Sequence, residues 1–340
     1  MNKVIRVYLL MIYTLVLISS CIRTDDYNDD PESNFEQLWN IIDTKYCFLI
    51  DKKIDWNDVY KKYRGLVNSK ITNEDLFNIC SDMLAELKDG HVNLTSSGRM
   101  FVYDDWYQDY PANYREDIVY DYYLGRASTD YRIAGGLRYK IMDNNVGYIR
   151  YESFSSSVGD ANLTEVLKYL SVCNGLIIDV RSNGGGTITN STKIAQRFTE
   201  QKVLTGYIKH KTGKGWNDFS EPFPLYLEPS KSLRWQKKVV VLTNRRCYSA
   251  TNDFINNMKS IGSENIIILG DKTGGGSGMP FSAELPNGWR VRFSASPHYD
   301  KDMNSIEEGI QPDIKVDMTD EDLFGFRDTL IEEAYKVINQ

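Results

Sequence analysis

Residues 175–186 read Gly-Leu-Ile-Ile-Asp-Val-Arg-Ser-Asn-Gly-Gly-Gly, and the fold is decided there. Leu176–Val180 is a short, β-branched, nearly unbroken apolar run that ends abruptly at polar residues and glycines. That is a buried strand feeding a loop. Continuous rather than alternating hydrophobicity means both faces are covered, as in parallel sheets. Lys238–Asn244 (KVVVLTN) and Asn265–Asp271 (NIIILGD) repeat the pattern, and Gly147–Phe154 reads as a further strand. Between these runs, Asp160–Ser171, Thr189–Thr199 and Ser249–Ile261 have apolar residues at helical spacing, with Leu163, Val166, Leu167 and Leu170 on one face. Phe281–Ser296 reads as a hairpin turning at Asn287-Gly288, and Thr319–Ile338 as a closing amphipathic helix. The expected class is α/β, with mostly parallel buried strands over residues 137–340.

Upstream the pattern is helical. Phe35, Leu38, Trp39, Ile42 and Tyr46 form one stripe. A second helix starts at Thr72, with Asp75 three residues on, and runs to Gly90, where a helix-ending glycine belongs. Residues 34–95 are therefore expected to form a helical N-terminal domain that presents His91 at a helix end. Residues 96–136, rich in tyrosine and acids, read as an irregular connection; no PDZ-like segment is recognisable before the strand at Gly147.

The N-terminus speaks of location. Lys3 and Arg6 precede the apolar run Val7–Ile18, and Ser19-Ser20 precede Cys21. This is the layout of a secretory signal over residues 1–20, too short for a comfortable membrane span. Leu17-Ile18-Ser19-Ser20-Cys21 resembles a bacterial lipobox, which implies lipidation of Cys21 and an envelope protein held on the outer membrane. Residues 21–33, with Asp25, Asp26, Asp29, Asp30 and Glu32, read as a disordered acidic tether. The acid cluster is reminiscent of surface-export signals. Loss of residues 1–20 takes the formal net charge from −7 to −9, which gives nucleic acid no electrostatic purchase. Cys47, Cys80, Cys173 and Cys247 show neither CxxC pairing nor clustering with His91, His210 or His298, so a structural zinc site is not expected.

Sites in open α/β sheets lie just beyond the carboxyl ends of the strands. Three loops occupy that place: Arg181–Gly186, Arg245–Ala250 and Asp271–Gly278. Ser249 stands at a strand-to-helix turn, where the first helical amides suit a developing oxyanion. A serine there is more commonly a plain helix cap. Gly184-Gly185-Gly186 lets backbone N–H groups approach a substrate closely, and no phosphate-loop spacing is present. A serine nucleophile needs a base. His91 is fixed by Asp89-Gly90-His91, whereas His210 and His298 read as solvated. Glu307 and Glu308 are candidates for the acid that orients the base.

Taken together, DGH (89–91), LIIDVRSNGGG (176–186), TNRRCYSATNDF (243–254), GDKTGGG (270–276) and EEGIQPDI (307–314) resemble the S41 peptidases in order and rough spacing. FEQLWNIIDTKYCFL and IDWNDVYKKY look like that family's helical N-terminal domain. The resemblance implies a ClpP/crotonase-like core and a metal-independent serine peptidase, without cofactor, acting on peptides or unfolded chains. One branch of the family uses a Ser–Lys dyad with the lysine in a TxGKG loop. Here Gly276 stands at that lysine's place, and Lys272 lies four residues earlier. The tricorn-like branch uses Ser, His and Glu. By resemblance Ser249 attacks, His91 is base and then acid, and Glu307 orients the imidazole, with Glu308 as the neighbouring choice. A backbone N–H of Gly184–Gly185 and that of Ala250 form the oxyanion hole. Tricorn has a serine before its histidine, where Gly90 stands here. The competing readings are an inactive peptide- or ligand-binding lipoprotein on the same scaffold, and a Ser–Lys hydrolase using Lys272.

Overall fold

The computed structural model describes residues 28–340, so the signal segment, Cys21 and most of the tether lie outside the described residues. Pro31–Ser33, assigned above to the tether, are instead the first turn of a helix, Pro31–Lys45. Asp30 caps it, its side chain accepting from the Ser33 amide at 2.8 Å, and Pro31 occupies the first turn, where a missing N–H costs nothing.

Thirteen strands are described. In chain order they are β1 (Asn93–Ser96), β2 (Arg99–Val102), β3 (Arg132–Ala134), β4 (Leu137–Met142), β5 (Val146–Tyr151), β6 (Gly175–Asp179) and β7 (Val203–Ile208). They continue with β8 (Phe223–Leu227), β9 (Lys238–Thr243), β10 (Ile266–Gly270), β11 (Gly278–Glu284), β12 (Arg290–Asp300) and β13 (Ile314–Lys315). One sheet runs β13-β10-β9-β6-β5-β4-β3, parallel from β13 to β5 and antiparallel beyond. Ile178 pairs with Val241, and Val241 with Ile268, so the carboxyl ends of β6, β9 and β10 align at one edge.

Alternate residues on these strands serve two cores. Leu176, Ile178, Val239, Val241 and Ile268 pack with Leu163, Val166, Ile194, Phe254 and Met258 of three helices. Ile177, Val240, Leu242 and Leu269 pack on the other face with Leu330, Ile331, Ala334 and Val337. Covering both faces is what the unbroken apolar runs require.

A second sheet, β2-β1-β12-β7-β8 with β11 on β12, was not foreseen. The β11–β12 hairpin is longer than expected and turns at Gly288 with φ 79°. Its Leu285, Trp289, Val291 and Phe293 share a core with Phe35, Leu38, Trp56 and Leu84 of the N-terminal helices. This hairpin therefore knits the helical unit to the sheet unit. The helix beginning at Asn73 ends at Ala85, not at Gly90, and Lys88 takes the left-handed turn at φ 47°. The closing helix is two, Asp320–Phe324 and Thr329–Asn339, the second restarted by an Asp328 cap.

Candidate active site

Ser249 lies between β9 and the helix Ala250–Ser260, with φ 58° and ψ −120°. A non-glycine residue in that conformation costs on the order of 1–3 kcal/mol and persists only when its surroundings over-determine it. They do so here: the Ser249 amide donates to Gly275 O at 2.8 Å and the Tyr248 amide to Asn183 O at 3.2 Å. Cys247 Sγ, buried beneath them, donates to Val180 O at 3.1 Å. The strain aims the hydroxyl out of the sheet, and it meets His91 Nε2 at 2.9 Å.

His91 sits on a buried acid. Asp89 is 1% exposed and accepts from the His91 amide (2.7 Å), Tyr46 Oη (3.0 Å), Ser294 Oγ (2.8 Å) and Tyr248 Oη (3.3 Å). Burial alone would raise its carboxyl, but Lys52, His91 and these donors hold it below the usual range. Gly90 is required by packing rather than by a helix end. A Cβ there would lie 2.8 Å from Trp106 Nε1 and 3.0 Å from Tyr248 Oη. Trp106 stacks on Tyr248 at 4.4 Å, and the Tyr248 ring lies 5.0 Å from the imidazole. A side chain at position 90 would thus run into two aromatic residues.

Gly185 explains the glycine run. With φ 99°, a Cβ would lie 2.6 Å from Tyr248 O and 2.8 Å from Ser249 Cβ. Its amide, however, donates to Asn183 Oδ1 at 2.9 Å and is not available to an oxyanion, a correction to the expected pair. Gly184 faces open space. The Ala250 amide, first in its helix, has no acceptor within that helix.

Glu307 is buried but does not orient the imidazole. Its Oε2 accepts from the Ser277 amide (2.7 Å) and Ser277 Oγ (3.3 Å), and its Oε1 lies 3.2 Å from Lys52 Nζ. Burial, then the Asp89 charge, pushes its carboxyl up to about 7 against the pull of Lys52. Glu308 is exposed. His91 Nδ1 is buried without a partner among the described residues. Lys272 makes no side-chain hydrogen bond among the described residues; Ser249 is bonded to the imidazole instead. Lys52, Trp106 and Tyr248 were missed in the sequence, and His298 is buried rather than solvated. No cluster of three metal-ligating side chains occurs among the described residues, and the four described cysteines are buried free thiols.

The imidazole's own environment sets its working range. Burial is the main cause that lowers its pKa to about 4, with Asp89 opposing. The charged form is the one penalised, so the neutral base survives below the ordinary value of about 6.5. The acid limb of kcat/KM is therefore expected to have its midpoint nearer pH 4 than pH 6.5. A pH–rate profile checks this, and a midpoint at or above pH 6 would show an imidazole open to water.

Comparison with known proteins places the chain in a family. The sequence profile of Peptidase family S41 matches residues 145–316, and that of the tricorn protease C1 domain matches residues 27–85. A candidate peptidase of known structure from Parabacteroides merdae is 51% identical, with TM-score 0.86 over 92% of this chain and 97% of that one. The chloroplastic C-terminal processing peptidase of Tetradesmus obliquus is 26% identical over 178 residues; these are 51% of this chain but only 35% of the relative's length. Tricorn protease shares the fold at TM-score 0.57 and 18% identity, over 92% of this chain and 37% of that one. With the family profile spanning half of the sequence and a 51%-identical relative spanning nearly all of it, the chain belongs to Peptidase family S41 and is a serine-type peptidase.

Proposed function

We propose that this peptidase is an endopeptidase of the bacterial cell envelope, anchored through lipid on Cys21, with Ser249 as nucleophile and His91 as general base and then acid. The observation that carries the chemistry is the 2.9 Å contact between His91 Nε2 and the hydroxyl of a strained Ser249. A base within that reach takes the hydroxyl proton as the oxygen attacks the scissile carbonyl. The Gly184 and Ala250 amides then face the oxyanion, and the imidazolium returns its proton to the leaving amine.

Carboxylates support this cycle by position. The Asp89 charge is the largest influence favouring the imidazolium. Glu307 acts as a positioning residue: through Ser277 it fixes the loop that borders the nucleophile, and Lys52 holds it there. The peptide substrate is read from the family. The envelope location rests on the charged start, the apolar run and Ser-Ser-Cys at residues 19–21.

A single labelling experiment tests both halves. Cells treated with a fluorophosphonate that reaches the whole envelope should yield a protein modified at Ser249 and recovered with membranes, and Cys21→Ser should move the labelled protein to the soluble fraction. An unlabelled Ser249 in active, folded protein would sink the catalytic reading and leave a binding scaffold. A labelled protein that is soluble with Cys21 intact would sink the anchor.

A further inference from the structure

Asp253 lies four residues beyond the nucleophile on the helix Ala250–Ser260, and its amide donates to Ser249 O at 3.0 Å. Asp253 thus belongs to the first turn of the helix that follows the nucleophile. Oδ2 accepts from Ser191 Oγ at 2.6 Å and Asn257 Nδ2 at 3.1 Å. Oδ1 takes no hydrogen bond among the described residues, and no lysine or arginine among them is paired with this acid. The side chain is partly exposed, which leaves Oδ1 open to a ligand, and partial burial pushes the carboxyl up to about 6.

The pocket that opens at Ser249 and His91 explains where a cation would come from. Ile188, Met279, Pro280 and Ile306 give it apolar walls, and Asp253 and His298 give it polar ones. A lysine or arginine stem lies well along apolar walls while its head seeks a carboxylate. His298 is buried and its pKa is lowered to about 4, chiefly by burial, so at neutral pH it adds no positive charge to repel such a head.

We propose that this pocket receives the side chain of the substrate residue beside the scissile bond, and that Asp253 selects lysine or arginine there. The inference rests on the endopeptidase reading and deepens it by naming the substrate class. An incoming ammonium or guanidinium supplies the partner that Oδ1 lacks, and the apolar walls exclude the water that would otherwise screen the pair.

The test uses fluorogenic peptides that differ only in the residues flanking a single cleavable bond, with Lys, Arg, Ala or Glu at each flanking position. In the parent protein, kcat/KM for Lys or Arg should exceed that for Ala at least tenfold at one of the two positions. Asp253→Asn, which keeps the shape and the Ser191 contact, should lower that Lys-to-Ala ratio at least tenfold. A merely structural acid would lower all substrates alike and leave the ratio unmoved. A parent ratio near one, or an unchanged ratio in Asp253→Asn, overturns the inference while leaving the endopeptidase standing. Failure of the parent to cleave any of the peptides would overturn the endopeptidase and the inference together.

Discussion

Ser249→Ala lowers kcat/KM for peptide hydrolysis by about 10⁴–10⁶-fold, the range seen when one member of a nucleophile–base unit is removed. The size follows from the arrangement. Without the Oγ there is no covalent step for His91 to serve, and only the amides of Gly184 and Ala250 remain to favour attack by water. Alanine occupies φ 58° no more easily than serine, so the backbone strain survives the change and the fold is held by the same Tyr248 and Ser249 amide bonds. Thermal stability should therefore shift by no more than about 1 kcal/mol, as for other substitutions outside the packed core. His91→Ala should cost a similar factor, and the double variant little more than either single one, because the two groups act as one unit. Steady-state kinetics on all three proteins settles it. A Ser249→Ala protein within tenfold of its parent would mean that the hydroxyl at 2.9 Å from the imidazole is not the nucleophile.

The parts of this site that were legible in the sequence are those carried by local pattern. Buried strand runs locate the ends of β6, β9 and β10, and with them the three loops; Ser249 and the glycines follow from position. His91 follows from its Asp-Gly-His setting, although for a different reason than supposed: the helix stops at Ala85, and Gly90 answers to Trp106 and Tyr248. What stayed hidden was made by tertiary contact. Lys52 sits among Asp51 and Lys53 and looks like a solvated turn, yet it is the cation on Glu307. His298 follows Pro297 near the polar end of β12, yet the neighbouring strand β7 buries it. Strands β7 and β8 were invisible because Gly206 marks a register shift in one and Pro224 interrupts the other. The role expected of Glu307 failed on direction. Its chain position is correct for the site, but its carboxylate turns to Ser277 and Lys52, a choice that no one-dimensional spacing encodes.

Arg181→Met is expected to destabilise the fold by about 3–5 kcal/mol, the cost of removing one partner from a buried ion group. Arg181 is fully buried immediately before the Ser182–Gly186 loop. Its Nε and Nη2 donate to Asp179 at 3.0 and 2.7 Å, and its Nη1 donates to both oxygens of Asp328 at 2.9 Å and to Asn113 O at 3.2 Å. The ring of Tyr114 lies 5.2 Å from the guanidinium carbon. One side chain thus ties the end of β6 to the cap of the helix Thr329–Asn339, where Asp328 also accepts from the Leu330 and Ile331 amides at 3.1 Å. Methionine fills the volume but leaves Asp328 without its cation and Asp179 with only Arg150, 3.7 Å away. Burial would raise the Asp179 carboxyl, but Arg181 and Arg150 hold it at about 2. A carboxyl depressed in the fold contributes stability above its unfolded pKa of about 3.9, and that stability is lost as pH falls toward 2. In Arg181→Met the Asp179 carboxyl rises, so acid unfolding should begin at higher pH than in the parent. Urea unfolding at pH 7 should show the midpoint lowered with the m-value unchanged. Because the oxyanion loop hangs from this residue, labelling of Ser249 should weaken in the same variant even where it remains folded. A loss below about 1 kcal/mol would mean that the desolvation cost of the three charges cancels their attraction, and that the loop is held by its own Asn183 and Asn244 bonds alone.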